Sequence, residues 1–143
     1  MPFIYTLESD AGGNFNIVTD GGTLVQVVMV PVVSVGAQFT IQFALGTTTA
    51  ASATSIPAGA IVLRAMLDVT APYDAGTLIE VGRTGNLSLL MGTGDSFPAT
   101  VDGYDAPQDT AWGGTALPVI TTIVGAPAAG AALVTVEYAI PQP

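Results

Sequence analysis

The densest group of polar and aromatic side chains lies in the segment DGYDAPQDTAW, residues 102–112. It contains three carboxylates and two aromatic side chains, namely Asp102, Tyr104, Asp105, Asp109 and Trp112. A pair of carboxylates can hydrolyse a glycosidic bond, one as the acid and the other as the base or nucleophile. Large aromatic side chains supply contact area for a ligand or partner. The segment is therefore the candidate loop for binding a ligand, a glycan or a partner protein.

Ordinary turn chemistry explains the same aspartates more simply. Asp beside Gly or Pro commonly bonds to nearby backbone groups in turns. The segment offers many oxygen ligands for a hard cation such as calcium, but it has neither the spacing nor the final Glu of an EF-hand loop. The sequence favours a solvated loop over a catalytic pair or a calcium site. We accordingly predict no bound metal and no cofactor.

Several chemistries are excluded by missing residue types. The chain has no His and no Cys, and its only basic residues are Arg64 and Arg83. Without His and Cys there are no His-dependent triads, no thiol nucleophiles and no zinc sites of the usual kind. Without Lys there is no Schiff-base chemistry and no Walker-type phosphate site. The sequence predicts a protein that is not an enzyme.

The charge balance narrows the possible partners. Eleven acidic residues stand against two basic ones, so the net charge is −9. Such a chain repels nucleic-acid phosphates and anionic membranes, and neither is expected as a partner. The N-terminal sequence MPFIYTLESD has neither the basic region nor the apolar core of a signal peptide. We expect a soluble protein made in the cytoplasm without a cleaved export signal.

The hydrophobic pattern indicates an all-β protein. Half of the 143 residues are hydrophobic and only 9% are charged, which leaves a largely uncharged surface and suggests burial against another subunit. Residues 61–70 alternate with a period of two, as in a half-buried strand. The apolar face contains Ile61, Leu63, Ala65, Leu67 and Val69. The mixed face contains Val62, Arg64, Met66, Asp68 and Thr70.

Further segments complete a set of roughly eight strands with no convincing helix. Residues 39–45 alternate cleanly, and strands are predicted at residues 77–81, 86–91, 116–124 and 131–140. Residues 46–55 and 92–115 are predicted as a polar loop and an irregular region. This number of strands favours a jelly-roll-like β-sandwich, although an eight-stranded barrel has the same alternation.

The N-terminal part is predicted to differ from the rest. Residues 1–22 form either an extended arm or the first strands, and residues 23–143 form the β-sandwich domain. The run LVQVVMVPVVSV, residues 24–35, has the composition of a strand buried on both sides. Pro31 within it indicates an edge, a bulge or a break, because proline donates no hydrogen bond to a ladder.

The mixed face of residues 61–70 is the first candidate for a subunit contact. Arg64 and Asp68 lie roughly 13 Å apart along a strand, which is too far for a direct pair. Arg64 should therefore meet an acid of a neighbouring strand or subunit. We predict that Arg64, Met66 and Asp68 line the contact between copies.

Three segments resemble small jelly-roll domains in virion proteins of tailed bacteriophages. They are IPAGAIV with the strand that ends in DVTAPYDAG, then TLIEVG, and finally AAGAALVTVEYAIP near the C-terminus. The similarity covers about residues 56–141, and it carries no catalytic residues over to this chain.

The resemblance implies a homotrimeric jelly roll on a phage particle. The small size of the chain favours a capsid decoration, or cement, protein that binds the outer surface of the head and stabilises the shell. Its partners would be further copies of itself and the major capsid protein. The alternative is a receptor- or glycan-binding module of a head fibre or tail, with the segment 102–112 as its contact surface.

Overall fold

The computed structural model describes residues 6–9, 15–18, 24–27 and 37–142, and none of these residues is helical. None of them therefore belongs to a helix that could cross a membrane. The chain divides into two compact units, Met1–Ser34 and Val35–Pro143.

The first unit contains a three-stranded antiparallel sheet in the order β1-β2-β3. Its strands are β1 (Thr6–Ser9), β2 (Phe15–Val18) and β3 (Leu24–Val27). Because β3 pairs with β2, residues on both sides of the predicted boundary at residue 22 belong to one sheet. The predicted strand over residues 24–35 is described only as far as Val27, and Pro31 lies outside the described residues.

The second unit is a sandwich of two four-stranded antiparallel sheets. Its strands, in chain order, are β4 (Gln38–Leu45), β5 (Ala50–Ile56), β6 (Ile61–Ala71), β7 (Leu78–Arg83), β8 (Asn86–Met91), β9 (Gly103–Ala111), β10 (Leu117–Val124) and β11 (Ala131–Ala139). One sheet has the order β4-β11-β6-β9 and the other has the order β5-β10-β7-β8. The predicted all-β sandwich of about eight strands is confirmed.

The pairing of the strands identifies the topology as a jelly roll. β4 pairs with β11, β5 with β10, β6 with β9 and β7 with β8, as in one long hairpin whose tip is the turn between β7 and β8. Two further ladders, β11 with β6 and β10 with β7, join these pairs into the two sheets. A long hairpin folded over itself in this way is a jelly roll, whereas an up-and-down barrel would pair each strand with its neighbours in sequence.

A β-bulge in β6 corrects the predicted apolar face of that strand. In the ladder between β6 and β11, the consecutive residues Glu137 and Tyr138 pair with Arg64 and Val62. Leu63 is therefore an extra residue in β6, and the alternation reverses at this point. Val62 is consequently buried in the core, whereas Ile61 and Leu63 are only partly buried. Beyond the bulge the prediction holds, since Ala65, Leu67 and Val69 are all buried.

Residues 46–55 were predicted to be a polar loop, and this was wrong because Ala50–Ile56 form β5. The strand escapes a search for apolar alternation because Ser52, one of its two buried residues, is polar. The Ser52 hydroxyl accepts a hydrogen bond from the Val119 N–H (2.9 Å) and donates one to the Thr54 carbonyl (2.6 Å). It thus satisfies a backbone group where the ladder between β5 and β10 changes register.

The irregular region predicted at residues 92–115 was also wrong in its second half, because Gly103–Ala111 form β9. Its half-buried side is formed by Tyr104, Ala106, Gln108 and Thr110. The strand contains Pro107 and lies at the edge of its sheet, where a residue without a backbone donor is tolerated.

Candidate interaction surfaces

Strand β9 places the three predicted aspartates on the surface. Asp105 and Asp109 are exposed on β9, and Asp102 is exposed immediately before it. The carboxylate of Asp102 accepts a hydrogen bond from the Gly103 N–H (2.8 Å), which is the local turn chemistry expected of an aspartate at this position. The three side chains therefore follow an extended edge strand and do not share one loop.

The two aromatic residues of the predicted loop are held within the chain. Trp112 is 0% exposed, and its indole N–H donates to the Leu117 carbonyl (3.2 Å). Tyr104 is half-buried, and its hydroxyl donates to the Phe97 carbonyl (2.9 Å). Trp112 belongs to the core of the sandwich, so it offers no face on which a ligand could stack.

Asp105 is bound by Arg64 across the sheet. The Arg64 Nε donates to Asp105 Oδ1 (2.8 Å) and the Arg64 Nη2 donates to Asp105 Oδ2 (2.6 Å), which gives a bidentate pair. The hydrogen bond from Arg64 holds the pKa of Asp105 below its usual value, and the same bond raises the pKa of Arg64. Asp105 is thus an ionised partner of Arg64 and not a general acid. The acid that Arg64 was expected to meet is therefore on a neighbouring strand of the same chain.

The outer side of the sheet β4-β11-β6-β9 carries the three residues predicted for a subunit contact. Arg64 pairs in register with Glu137 of β11, and Met66 pairs with Thr135. Asp68 is exposed, while Arg64 and Met66 are half-buried. Arg64 therefore stands between Glu137 and Asp105, and with Asp68 this side of the sheet carries three acids around one cation.

Arg83, the second cation, is the last residue of β7, beside the turn at residues 84–85. Its guanidinium stands 5.9 Å from the centroid of the Trp112 ring, in a cation–π arrangement, and its Nη1 donates to the Thr84 carbonyl (3.3 Å). The turns at residues 57–60, 84–85 and 112–116 meet here, since the Gly59 N–H donates to the Gly113 carbonyl (2.8 Å). Arg83 therefore contacts Trp112 and Thr84 at this end of the sandwich.

The opposite end collects four loops, at residues 46–49, 72–77, 92–102 and 125–130, and is referred to below as the four-loop end. Tyr73 joins them: its hydroxyl donates to the carbonyls of Leu45 (3.3 Å) and Gly46 (2.9 Å), and its N–H donates to the Pro98 carbonyl (2.9 Å). Burial raises the pKa of Tyr73, so the hydroxyl stays a donor. These bonds tie three of the loops into one surface.

The fourth loop is attached through Asp74 and a glycine. The Asp74 carboxylate accepts a hydrogen bond from the Ala128 N–H (2.6 Å). Gly130 packs directly on the Tyr73 ring with a φ of +136°, a conformation that favours glycine. The four-loop end is therefore one connected structure.

Exposed apolar side chains concentrate at the four-loop end. Of the six large hydrophobic residues that are exposed in the described part of the chain, four lie here, namely Leu78, Phe97, Val101 and Val124. Phe97 is 70% exposed, and Leu78 pairs in register with Val124 at the adjacent ends of β7 and β10. Sequence reasoning missed this patch because two of its residues end separate strands and two lie in one irregular loop, so they share no periodicity, and only the topology brings them together.

The described residues contain no group of three or more His, Cys, Asp or Glu side chains close enough to hold a metal ion. The structure therefore offers no candidate metal centre in this part of the chain, and the surfaces described above remain as the candidates for function.

The fold is similar to that of chains in two solved phage capsids. A chain of the cyanophage Pam1 capsid asymmetric unit matches with a TM-score of 0.60 and 19% sequence identity, over 82% of this chain and 94% of that chain. A chain of the acidic stable capsid structure of Helicobacter pylori bacteriophage KHP30 matches with a TM-score of 0.59 and 15% identity, over 75% of this chain and 90% of that chain. No protein-family model and no curated protein matches the sequence. At these identities the likeness concerns the fold.

Proposed function

We propose that this chain is a structural protein of a bacteriophage head, a decoration protein that binds the outer surface of the shell as a homotrimer and stabilises it. One observation carries the proposal: its jelly roll has the fold of chains in two phage capsids and matches nearly their whole length. A match that covers most of both chains means that the matched chains are of similar size to this one. A small separate subunit is what a decoration protein requires.

The composition of the chain supports a role in assembly. A chain with 9% charged residues and no His, Cys or Lys has few groups for chemistry but much uncharged surface for contacts. Asp105, whose pKa is lowered by the hydrogen bond from Arg64, is paired with that arginine. The expectation that the protein is not an enzyme remains a prediction, and these features support it.

The proposed trimer contact is the outer side of β6, with Arg64, Met66 and Asp68. Arg64 is already neutralised by Asp105, so a neighbouring copy could cover it without leaving an unpaired cation. Met66 supplies an adaptable apolar side chain between the two charged positions. A closed symmetric trimer would use this side three times.

The alternative, a receptor- or glycan-binding module of a head fibre or tail, has less support. Such a module would need Trp112 and Tyr104 for contacts with its ligand. Trp112 is buried and the Tyr104 hydroxyl is bonded within the chain, so neither is free for that role. Binding of the wild-type protein to a glycan array would favour the alternative.

Addition of the purified protein to expanded shells that lack it should raise the melting temperature of the shells. A ligand that binds only the assembled state stabilises it by mass action, by about 2.7 kcal/mol per site when its free concentration is a hundred times Kd. We therefore expect a rise that grows with protein concentration in differential scanning calorimetry. An acidic protein of unrelated fold at the same concentration is the control. Shells that melt at the same temperature with and without the protein would contradict the proposal.

A further inference from the structure

We infer that the four-loop end is the surface that binds the phage shell, and that its partner is a protein surface presenting an apolar side chain among arginine or lysine side chains. This inference rests on the proposed function and adds which end binds and the chemistry of the partner. Three observations carry it: the exposed apolar residues, a groove beside them and the distribution of charge.

The apolar residues of this end are exposed in a way that the fold does not require. Phe97 is 70% exposed, although its ring centroid lies only 6.3 Å from that of the half-buried Tyr104. Val101 is 58% exposed in the same loop. Exposed aromatic and aliphatic side chains at one end of a small domain are typical of a contact surface.

A groove of about 250 Å³ runs beside Phe97, between residues 76–78 and residues 93–99. Leu78 forms part of one wall, and Ser96 forms part of the other. The Ser96 side chain is buried, and its hydroxyl has no hydrogen-bond partner among the described residues. The groove thus offers an apolar lining to a side chain that enters it.

The charge at this end is entirely negative in the part of the chain that the structure describes. The loops carry three exposed aspartates, namely Asp74, Asp95 and Asp102. The two arginines lie elsewhere, Arg64 at the fourth of the eleven positions of β6 and Arg83 beside the turns at the other end. An apolar patch with a negative rim is complementary to an apolar projection with a positive rim.

The same charge argues against a second copy as the occupant. Contact of this end with itself would bring the aspartates of both copies together, and like charges in a contact cost several kcal/mol. The net charge of −9 adds to this repulsion. A basic patch on the shell is therefore the occupant that we expect.

The test compares Phe97→Ser with a matched exposed residue at the other end of the sandwich. Leu87, on β8 beside the turn at residues 84–85, is 41% exposed and serves as the control in Leu87→Ser. Binding to expanded shells that lack the protein is measured by co-sedimentation over a range of protein concentrations. We expect Phe97→Ser to raise Kd at least about ten-fold and Leu87→Ser to change it by less than about two-fold.

A second pair of variants tests the charge. Asp95→Asn with Asp102→Asn keeps the local acceptors and removes two negative charges, so binding should weaken and lose part of its dependence on salt. Asp109→Asn, on β9 near the other end of the sandwich, is the control and should leave the affinity and its salt dependence unchanged. Unfolding curves of all variants establish that each is folded at the temperature of the assay.

The outcomes separate the two proposals. Wild-type protein that does not bind shells would remove both. Wild-type binding with equal effects of Phe97→Ser and Leu87→Ser would leave the proposed function standing and overturn the inference. A lower native mass for Phe97→Ser would identify the patch as a contact between copies. That result would also overturn the inference that the patch binds the shell.

Discussion

Replacement of Trp112 with alanine should lower the free energy of unfolding by about 3–5 kcal/mol, the range expected when a large buried aromatic side chain is removed. Trp112 is the largest side chain that is fully buried in the described part of the chain. It makes three contacts at the end of the sandwich opposite the four-loop end. Its indole N–H bonds to the Leu117 carbonyl, its ring faces the Arg83 guanidinium, and its backbone N–H bonds to the Ala60 carbonyl (2.9 Å). Truncation would leave a cavity and an unpaired carbonyl.

Urea unfolding of Trp112→Ala, followed by far-ultraviolet circular dichroism, measures this loss without relying on the fluorescence of the missing tryptophan. Trp112→Phe keeps most of the buried volume and should lose less. Phe97→Ala is the exposed control and should change the free energy of unfolding by less than about 0.5 kcal/mol. A loss below about 1 kcal/mol for Trp112→Ala would mean that the tryptophan is accessible, and it would return the residue to the list of ligand contacts.

Substitution of Gly130 with alanine should cost at least about 2 kcal/mol of stability, because it combines backbone strain with a steric clash. Gly130 has a φ of +136°, and a Cβ there would meet the ring of Tyr73. The ring cannot move away cheaply, since Tyr73 is only 3% exposed and its hydroxyl is bonded to two carbonyls. Gly94→Ala, in the loop at residues 92–102, is the matched control because a Cβ at Gly94 would meet nothing.

The clash can be separated from the strain by a double-mutant cycle. In a Tyr73→Leu background the ring is absent, so the added cost of Gly130→Ala should fall by more than about 1 kcal/mol. Chemical denaturation of the four proteins gives the coupling energy. Additive effects of the two substitutions would show that Gly130 does not support the four-loop end through Tyr73.

The strands that were predictable from the sequence are those with an apolar side. The alternation in β4, β6 and β11 is visible because nearly all of their buried residues are apolar. β5 and β9 are invisible by the same criterion, since β5 buries Ser52 and β9 half-buries Gln108 and Thr110. Some of these polar side chains bond to other strands, as when the Val119 N–H donates to the Ser52 hydroxyl (2.9 Å) and Gln108 Nε2 donates to the Leu90 carbonyl (2.6 Å). Such bonds depend on the tertiary fold.

The candidate site was predictable only in part for a similar reason. A search for residue types found Arg64 and Asp105, and the strand pairing joins them. The same search selected Trp112, whose burial depends on a turn that no residue pattern reveals. It overlooked Leu78, Phe97 and Val124, because their proximity follows from the order of the jelly-roll strands and not from their spacing in the chain.

The most direct test of the central claim is a pair of cryo-electron microscopy reconstructions of phage heads, with and without this protein. We expect extra density on the outer surface of the shell, arranged in threes about local three-fold axes. The sandwich of residues 35–143 should fit each lobe, with its four-loop end against the shell. The same shell surface in both reconstructions would show that the protein does not decorate the head, as would density confined to the tail or to a single vertex.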